Sequence, residues 1–426
     1  MLNKRYPAVR ALLLTILVIG LAGTGAWGQT FKVLHSFGNG DGLIPVAGQV
    51  FDAKGNLYGV TSLGPLGNGE GSGTVYQLTP NADGTWSERV LYAFNGSDGL
   101  EPDSDLIFDP AGNLYGTAWA TGYGSHVGVV YRLTPNSNDT WTESTLHQFA
   151  GDSDGGDPDE LALDAAGNIY GNTRFGGLHE SGTVYSLSRN QASGWKESLL
   201  QVFDAYPSMS GSSPYGAITF DANGNLYGTT LGGGTHQVGV VYKLTKQGNL
   251  WQETVLYNFG GGTDGETPVG VVFGPDGSLY GVTQGGGYLG TASCPFLGCG
   301  TVFKLTPKSD GTWTKTTLYA FRGTAGHDAA TPVSRITFDR AGNLYSTTGV
   351  GGVTRSGCYA YGCGTVFKLT PSTGGGYTES VVYTFMNGLD GSTPTGPVVI
   401  DGAGNLYGTA ALGGAFNYGV AFEIMQ

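Results

Sequence analysis

Three of the six histidines, His126, His179 and His236, stand at equivalent places in successive stretches, two or three residues before a GVVY-type run. Neutral imidazoles from neighbouring units could share a metal ion. Equivalent loops of neighbouring units diverge, however, which favours three solvated histidines. The run GDSDGGDPDE (151–160) offers Asp152, Asp154, Asp157, Asp159 and Glu160 as oxygen ligands for Ca2+, though without the EF-hand spacing. Its alternative is a solvated acidic loop. The four cysteines lie in CPFLGC (294–299) and CYAYGC (358–363). Two C-x4-C pairs could hold Zn2+. The simpler account is two local disulfides, Cys294–Cys299 and Cys358–Cys363, in an exported chain. No P-loop, dinucleotide fingerprint, nucleophile elbow or HExxH occurs. Ca2+ is the one cofactor the acids suggest.

Aromatic residues that break the local pattern form a second set: Trp119, Tyr123, Phe175, Tyr288, Phe296, Tyr359, Tyr361, Phe416 and Tyr418. Amphipathic rings gathered on one face suit a sugar or a protein partner. Each could instead plug its own loop.

These residues must be held by a repeat. GNLYG or a near variant begins at residues 55, 112, 167, 224, 277, 342 and 404. GTVY-type runs follow at 73–76, 128–131, 182–185, 239–242, 300–303, 364–367 and 419–422, and LYAF-type runs recur between them. An apolar residue plus Asp, as in VFD (50–52), precedes most GNLYG copies. Each unit therefore holds four β-like runs, punctuated by Gly, Asp, Asn and Pro. Four strands in each of seven units predict an all-β, seven-bladed propeller. The first run, 31–37, is a fourth strand and the last, 419–424, is a third. Their pairing would close the ring and remove the exposed edges of an open array. GNLYG reads as a tight hairpin, with Asp52 capping the turn and Gly55 and Asn56 tolerating positive φ. Trp86, Trp141, Trp195, Trp251, Trp313 and Tyr377 read as packing residues ahead of the fourth strand.

Charged residues make up only 12% and the formal net charge is −13. No basic cluster follows residue 10, which argues against nucleic acid. Residues 1–28 read as a signal peptide: Lys4, Arg5 and Arg10, then the apolar run 11–23, then AWG (26–28). The expected product is a single domain, 29–426, exported to the periplasm or beyond, soluble and monomeric, with no membrane span.

The unit AGNLYGTT…GG…GTVFKLTP…W…LYxF…DGxxP resembles the GloVer tandem repeat of secreted bacterial proteins, over about residues 31–426. The order GG, V-Y, Trp is also similar to kelch repeats. The resemblance implies a propeller and names no activity. Function on such a scaffold belongs to the variable face, where the loops between second and third strands and between blades open together. The leading expectation is a non-catalytic module binding a carbohydrate or protein through that face. The alternative is a propeller enzyme, a polysaccharide lyase or hydrolase, with or without a metal ion. An enzyme should gather acids and histidines at the channel mouth with raised pKa values. A binder should gather aromatics and leave the acids scattered.

Overall fold

The computed structural model describes residues 29–38, 40–64, 72–119, 127–190, 194–204, 210–289, 294, 298–324 and 327–426. Seven antiparallel sheets form seven blades. Blades 1 to 6 span 50–93, 107–149, 156–202, 212–258, 266–320 and 329–384. Blade 7 takes three strands from 399–425 and its outermost strand from the N-terminus. Thr30 pairs with Met425 and Ser36 with Val420, so the ring closes as the two end strands predict, with bounds shifted by one residue. Among the described residues there is no α-helix, only a 3-10 turn at Gly262–Asp264.

The hairpin behind GNLYG is a carboxylate cage. Asp52 Oδ1 accepts the N–H groups of Lys54 (2.8 Å) and Asn56 (2.9 Å). Its Oδ2 accepts the Asn56 carboxamide (2.7 Å) and the Tyr58 hydroxyl (3.1 Å). The cage recurs around Asp109, Asp164, Asp221, Asp339 and Asp401. Blade 5 has Gly274 in the Asp place, and Asp276 takes the Tyr280 hydroxyl instead. Gly55 has φ 85°, as expected, but Asn56 is not left-handed. Its role is to donate into the cage. The five recurring residues are thus one hydrogen-bonded unit, satisfied within the hairpin.

Two further invariants pack blade on blade. The Phe that ends each outer strand meets the aromatic residue of the next blade's third strand: Phe37 on Tyr76, Phe94 on Tyr131, and so on to Phe385 on Phe422, at centroid distances of 4.8 to 5.3 Å. These rings are fully or almost fully buried, so the hydrophobic core is a ring of seven inter-blade layers. Such pairs contribute about 0.5–1.5 kcal/mol each beyond their buried area. The Gly that opens each third strand lies under the Pro that opens the next blade. A Cβ on Gly73 would stand 2.3 Å from Pro102, and one on Gly300 would stand 2.6 Å from Pro332. The Trp residues pack as expected, Trp141 against Tyr58 and Trp313 against Tyr227.

The residue before each of those prolines is left-handed and is never glycine: Ile44, Glu101, Asp157, Ser213, Thr267, Thr331 and Thr393, with φ from 49° to 61°. This conformation costs an L-residue about 1–2 kcal/mol, more when β-branched. It is held by bonds to the neighbouring blade, as when Ile44 N–H donates to the Tyr418 carbonyl at 2.9 Å. The seven strained residues ring the variable-face end of the channel.

Candidate functional site at the channel mouth

Each first strand runs from that rim down the central channel, and each second strand returns to it. The first three positions after the rim proline and the fourth residue after the GNLYG tyrosine on each second strand therefore gather around a common space. Most blades fill these positions with small or apolar residues, such as Val46 and Ala47 in blade 1 and Val269 in blade 5. Blades 2, 3, 4 and 6 break the rule with Asp103, Asp105, Asp159, Glu160, Tyr215 and Arg335. Trp119, Arg174 and Gln284 break it on the return strands. All of these except Arg335 line one cavity of about 380 Å³, a size that admits a small sugar.

Arg335 braces this cavity from beside it. Its blade stands opposite the junction of blades 2 and 3, and its guanidinium reaches across to bond Asp105 and, at 2.8 Å, Glu160. Asp105 also accepts the Gly48 N–H (2.6 Å), so one carboxylate ties three blades. Nearer the mouth, the Arg174 guanidinium lies between two rings, 5.2 Å from Trp119 and 5.0 Å from Tyr215. This cation–π sandwich holds its orientation, while its Nε is buried without a hydrogen-bond partner.

The four carboxyls differ in environment. Burial, reinforced by the nearby Asp159 charge, raises the Asp103 pKa well above the carboxylate range. Its Oδ1 is out of solvent and unpartnered. Burial also raises Asp159, but the Gly216 N–H at 2.6 Å and Arg174 both favour its ionised form. Burial and the Asp105 charge push Glu160 up to about 8, against the pull of Arg335. Asp103 and Asp159, both raised by burial, thus share one cavity, and only Asp159 has an N–H donor and a guanidinium that favour its ionised form. That pairing can donate and accept protons at neutral pH.

The residues singled out from sequence fall in different places. Trp119, Asp159 and Glu160 line the cavity. The acidic run is only partly a loop, because the first strand of blade 3 is Gly156–Leu163. It consequently splits its acids. Asp157 and Asp159 are buried, and Asp152 is exposed. Asp154 caps the blade-to-blade turn through the Ala150 N–H. The four do not bring ligand atoms together as a metal group does. Phe175 ends a second strand half-buried, and Tyr288 and Tyr359 are exposed on separate loops. Tyr361 packs against the cluster containing the first disulfide. Tyr418, with Phe416, lines a groove at the ring-closing seam. Tyr123, His126 and Phe296 lie outside the described residues. His179 and His236 are exposed. Both disulfides form as expected, with Cα–Cα distances of 5.1 and 4.9 Å. No helix among the described residues is long and apolar enough to cross a membrane.

Asp103, Asp105, Arg174, Tyr215 and Arg335 are not singled out by local sequence. The signal that marks them is departure from the repeat at a fixed offset from the rim proline or from GNLYG.

The chain is similar to several solved structures. The chain is similar to the extracellular domain of a one-component system from B. thetaiotaomicron, with TM-score 0.52 and 11% identity, over 91% of this chain and 40% of that one. It is similar to a protein described as a 6-phosphogluconolactonase from Bacteroides uniformis, with TM-score 0.49 and 12% identity, over 78% and 83% of the two chains. A gluconolactonase from Xanthomonas campestris matches with TM-score 0.41 and 15% identity, over 76% and 86%. At such identities the first of these likenesses concerns the fold alone. No curated protein matches the sequence. The Gloeobacter/Verrucomicrobia repeat model matches residues 24–204 and 194–359, and a chain so largely built of that unit belongs to the Gloeobacter/Verrucomicrobia repeat family.

Proposed function

We propose that this is an exported propeller that takes a small carbohydrate into its channel mouth and cleaves a C–O bond in it by acid–base hydrolysis. The observation that carries the reading is the convergence of Asp103, Asp159, Glu160 and Arg174 on one sugar-sized cavity beside Trp119 and Tyr215. Among the described residues the off-pattern aromatics form no comparable single patch, which favours the channel over the loop face. In this reading the neutral Asp103 protonates the leaving oxygen, and the Asp159 carboxylate takes a proton from the attacking water. Trp119 supplies an apolar face for the sugar ring, and Arg174 orients a polar substituent. The two disulfides and the apolar N-terminal segment support export.

The test is a panel of oligosaccharides and sugar esters, scored for both binding and product. Wild type should bind and release product. Asp103→Asn should still bind but turn over at least a hundred-fold more slowly, and Trp119→Ala should weaken binding. Binding without product by wild type would leave a lectin-like module. Binding that survives Trp119→Ala and Arg174→Met in folded protein would move the site away from the channel.

A further inference from the structure

The outer strands meet at seams whose composition repeats around the ring. The residue two before the terminal Phe is His35, Tyr92, His147, Gln201, Tyr257, Tyr319 or Tyr383, and at every seam but that of Gln201 it approaches an Asp of the following turn. The outer strand of the next blade supplies the third group: Glu88, Glu143, Glu197, Glu253, Lys315, Glu379 or Phe31. Where the first residue is Tyr, its hydroxyl donates to the Asp and completes the contact, as at Tyr257–Asp264 (2.8 Å), Tyr319–Asp328 (2.9 Å) and Tyr383–Asp390 (3.1 Å). Where the turn lacks an Asp, Gln201 donates directly to Glu253 (2.7 Å).

Two seams differ. At the seam between blades 7 and 1 the first residue is His35, and at the seam between blades 2 and 3 it is His147. A phenol can only complete the Asp contact, whereas an imidazole brings a nitrogen that ligates metals. His35 Nε2 lies 2.6 Å from Asp41 Oδ2. Ligand atoms of His35, Asp41 and Glu88 all lie within 4.8 Å of one another. Glu88 Oε1 is buried and has no hydrogen-bond partner, so this third oxygen is uncommitted. Beside Asp41 opens the groove lined by Gly38, Gly40, Phe416 and Tyr418, through which water could complete a coordination shell. At the second seam the same three residue types recur more loosely, with His147 Nε2 3.7 Å from Asp154. There His147 Nε2 and Glu197 Oε1 are both buried without hydrogen-bond partners.

We infer that His35, Asp41 and Glu88 form a site for a borderline divalent cation of the Zn2+ type, independent of the channel. One imidazole and two carboxylates leave a fourth position for water, a tetrahedral arrangement suited to zinc. His35 belongs to the N-terminal strand that closes the ring, and Glu88 to the blade it closes against. The ion therefore ties the ring-closing N-terminal strand to blade 1. The His147 seam is the weaker copy.

The test uses a variant patterned on the sibling seams. His35→Tyr restores the Tyr–Asp contact seen elsewhere in the ring and should fold. Chain freed of metal with EDTA is titrated with Zn2+ by calorimetry, its bound zinc is counted, and its melting is followed with and without the ion. Wild type should bind one zinc tightly and a second more weakly, with a rise in Tm. His35→Tyr should keep the metal-free Tm, lose the tighter zinc with at least a ten-fold drop in affinity, and lose most of the Tm rise. Glu88→Gln, nearly isosteric, should weaken zinc in the same direction. His179→Ala with His236→Ala removes two of the exposed histidines and should leave the tighter site intact. Absence of zinc from wild type, or zinc binding unchanged by both His35→Tyr and Glu88→Gln, would overturn the inference.

Discussion

A methyl group on Gly59 would lie 2.4 Å from the Tyr76 hydroxyl, and Gly116, Gly171 and Gly228 stand in the same relation to Tyr131, Tyr185 and Tyr242. Blade 6 carries the natural counter-example, Ser346 facing Phe367, where the hydroxyl is missing. Gly59→Ala should therefore destabilise by about 1–3 kcal/mol through overpacking. Tyr76→Phe should recover part of that loss, and a double-mutant cycle by denaturant unfolding should show the coupling. Additive effects would mean that the ring and the glycine do not oppose each other. The glycine itself is legible as a residue present in six of the seven copies, but its partner is not, because the contact joins residues 17 apart on paired strands. The channel residues are hidden for a related reason. Local density of acids favours 151–160, whereas a propeller axis collects single residues from units more than fifty positions apart. Asp105 and Arg335 are a clear case, 230 positions apart in sequence and bonded across the channel. Arg335→Met would leave Asp105 facing Glu160 without its cation. It should cost about 3–5 kcal/mol, as breaking a buried pair does, read as a lowered unfolding midpoint.

The hairpins, outer strands and disulfide loops can be drawn from sequence because each is governed by neighbours within a few positions. The Asp–Asn–Tyr cage and the Gly turn need nothing from other blades. First strands are harder to place. Those of blades 3, 4 and 5 run eight or nine residues, while Val50–Phe51, Ile107–Phe108 and Val399–Ile400 are two-residue pairings. Their length depends on what fills the channel, which local pattern does not report. Both disulfides sit in loops between second and third strands and close only five positions each. In the loop-entropy account such a closure is worth about 2 kcal/mol. Reduction should consequently lower Tm modestly and leave the cooperative unfolding of the ring intact. Hydrogen exchange should rise in the loops before Thr301 and Thr365 and stay unchanged in the blade 1 to 3 seams. Loss of cooperative unfolding on reduction would give the disulfides a larger part in holding blades 5 and 6.

Ring closure is legible because it follows from counting strands, and the same seven-fold repetition sets how stability responds to pH. Outer-strand glutamates Glu88, Glu197, Glu253 and Glu379 are pushed by burial up to about 7, and Glu143 is raised by the same cause. A carboxyl whose folded pKa exceeds its unfolded value binds its proton more tightly in the native state. The stability it adds is complete below the unfolded value near 4.5 and is lost as pH rises towards 7. The cage aspartates act in the opposite sense. At Asp52, Asp109, Asp221 and Asp339 burial opposes ionisation, but bonds from the Asn and Tyr of the hairpin outweigh it and hold the carboxyls below 3.8. Their contribution is present above that value and falls away in stronger acid. His147, lowered by burial, also favours higher pH: its contribution is complete above the unfolded value of 6.5 and is lost as pH falls below it. It is one group against five glutamates. The ring should melt highest near pH 5 and at lower temperature at pH 8, measured in metal-free buffer of constant ionic strength. Replacing Glu197, Glu253 and Glu379 together with Gln should flatten the decline between pH 5 and 8 while leaving the acid limb unchanged. A wild-type Tm that rises from pH 5 to 8 would show that the seam glutamates are ionised in the folded ring.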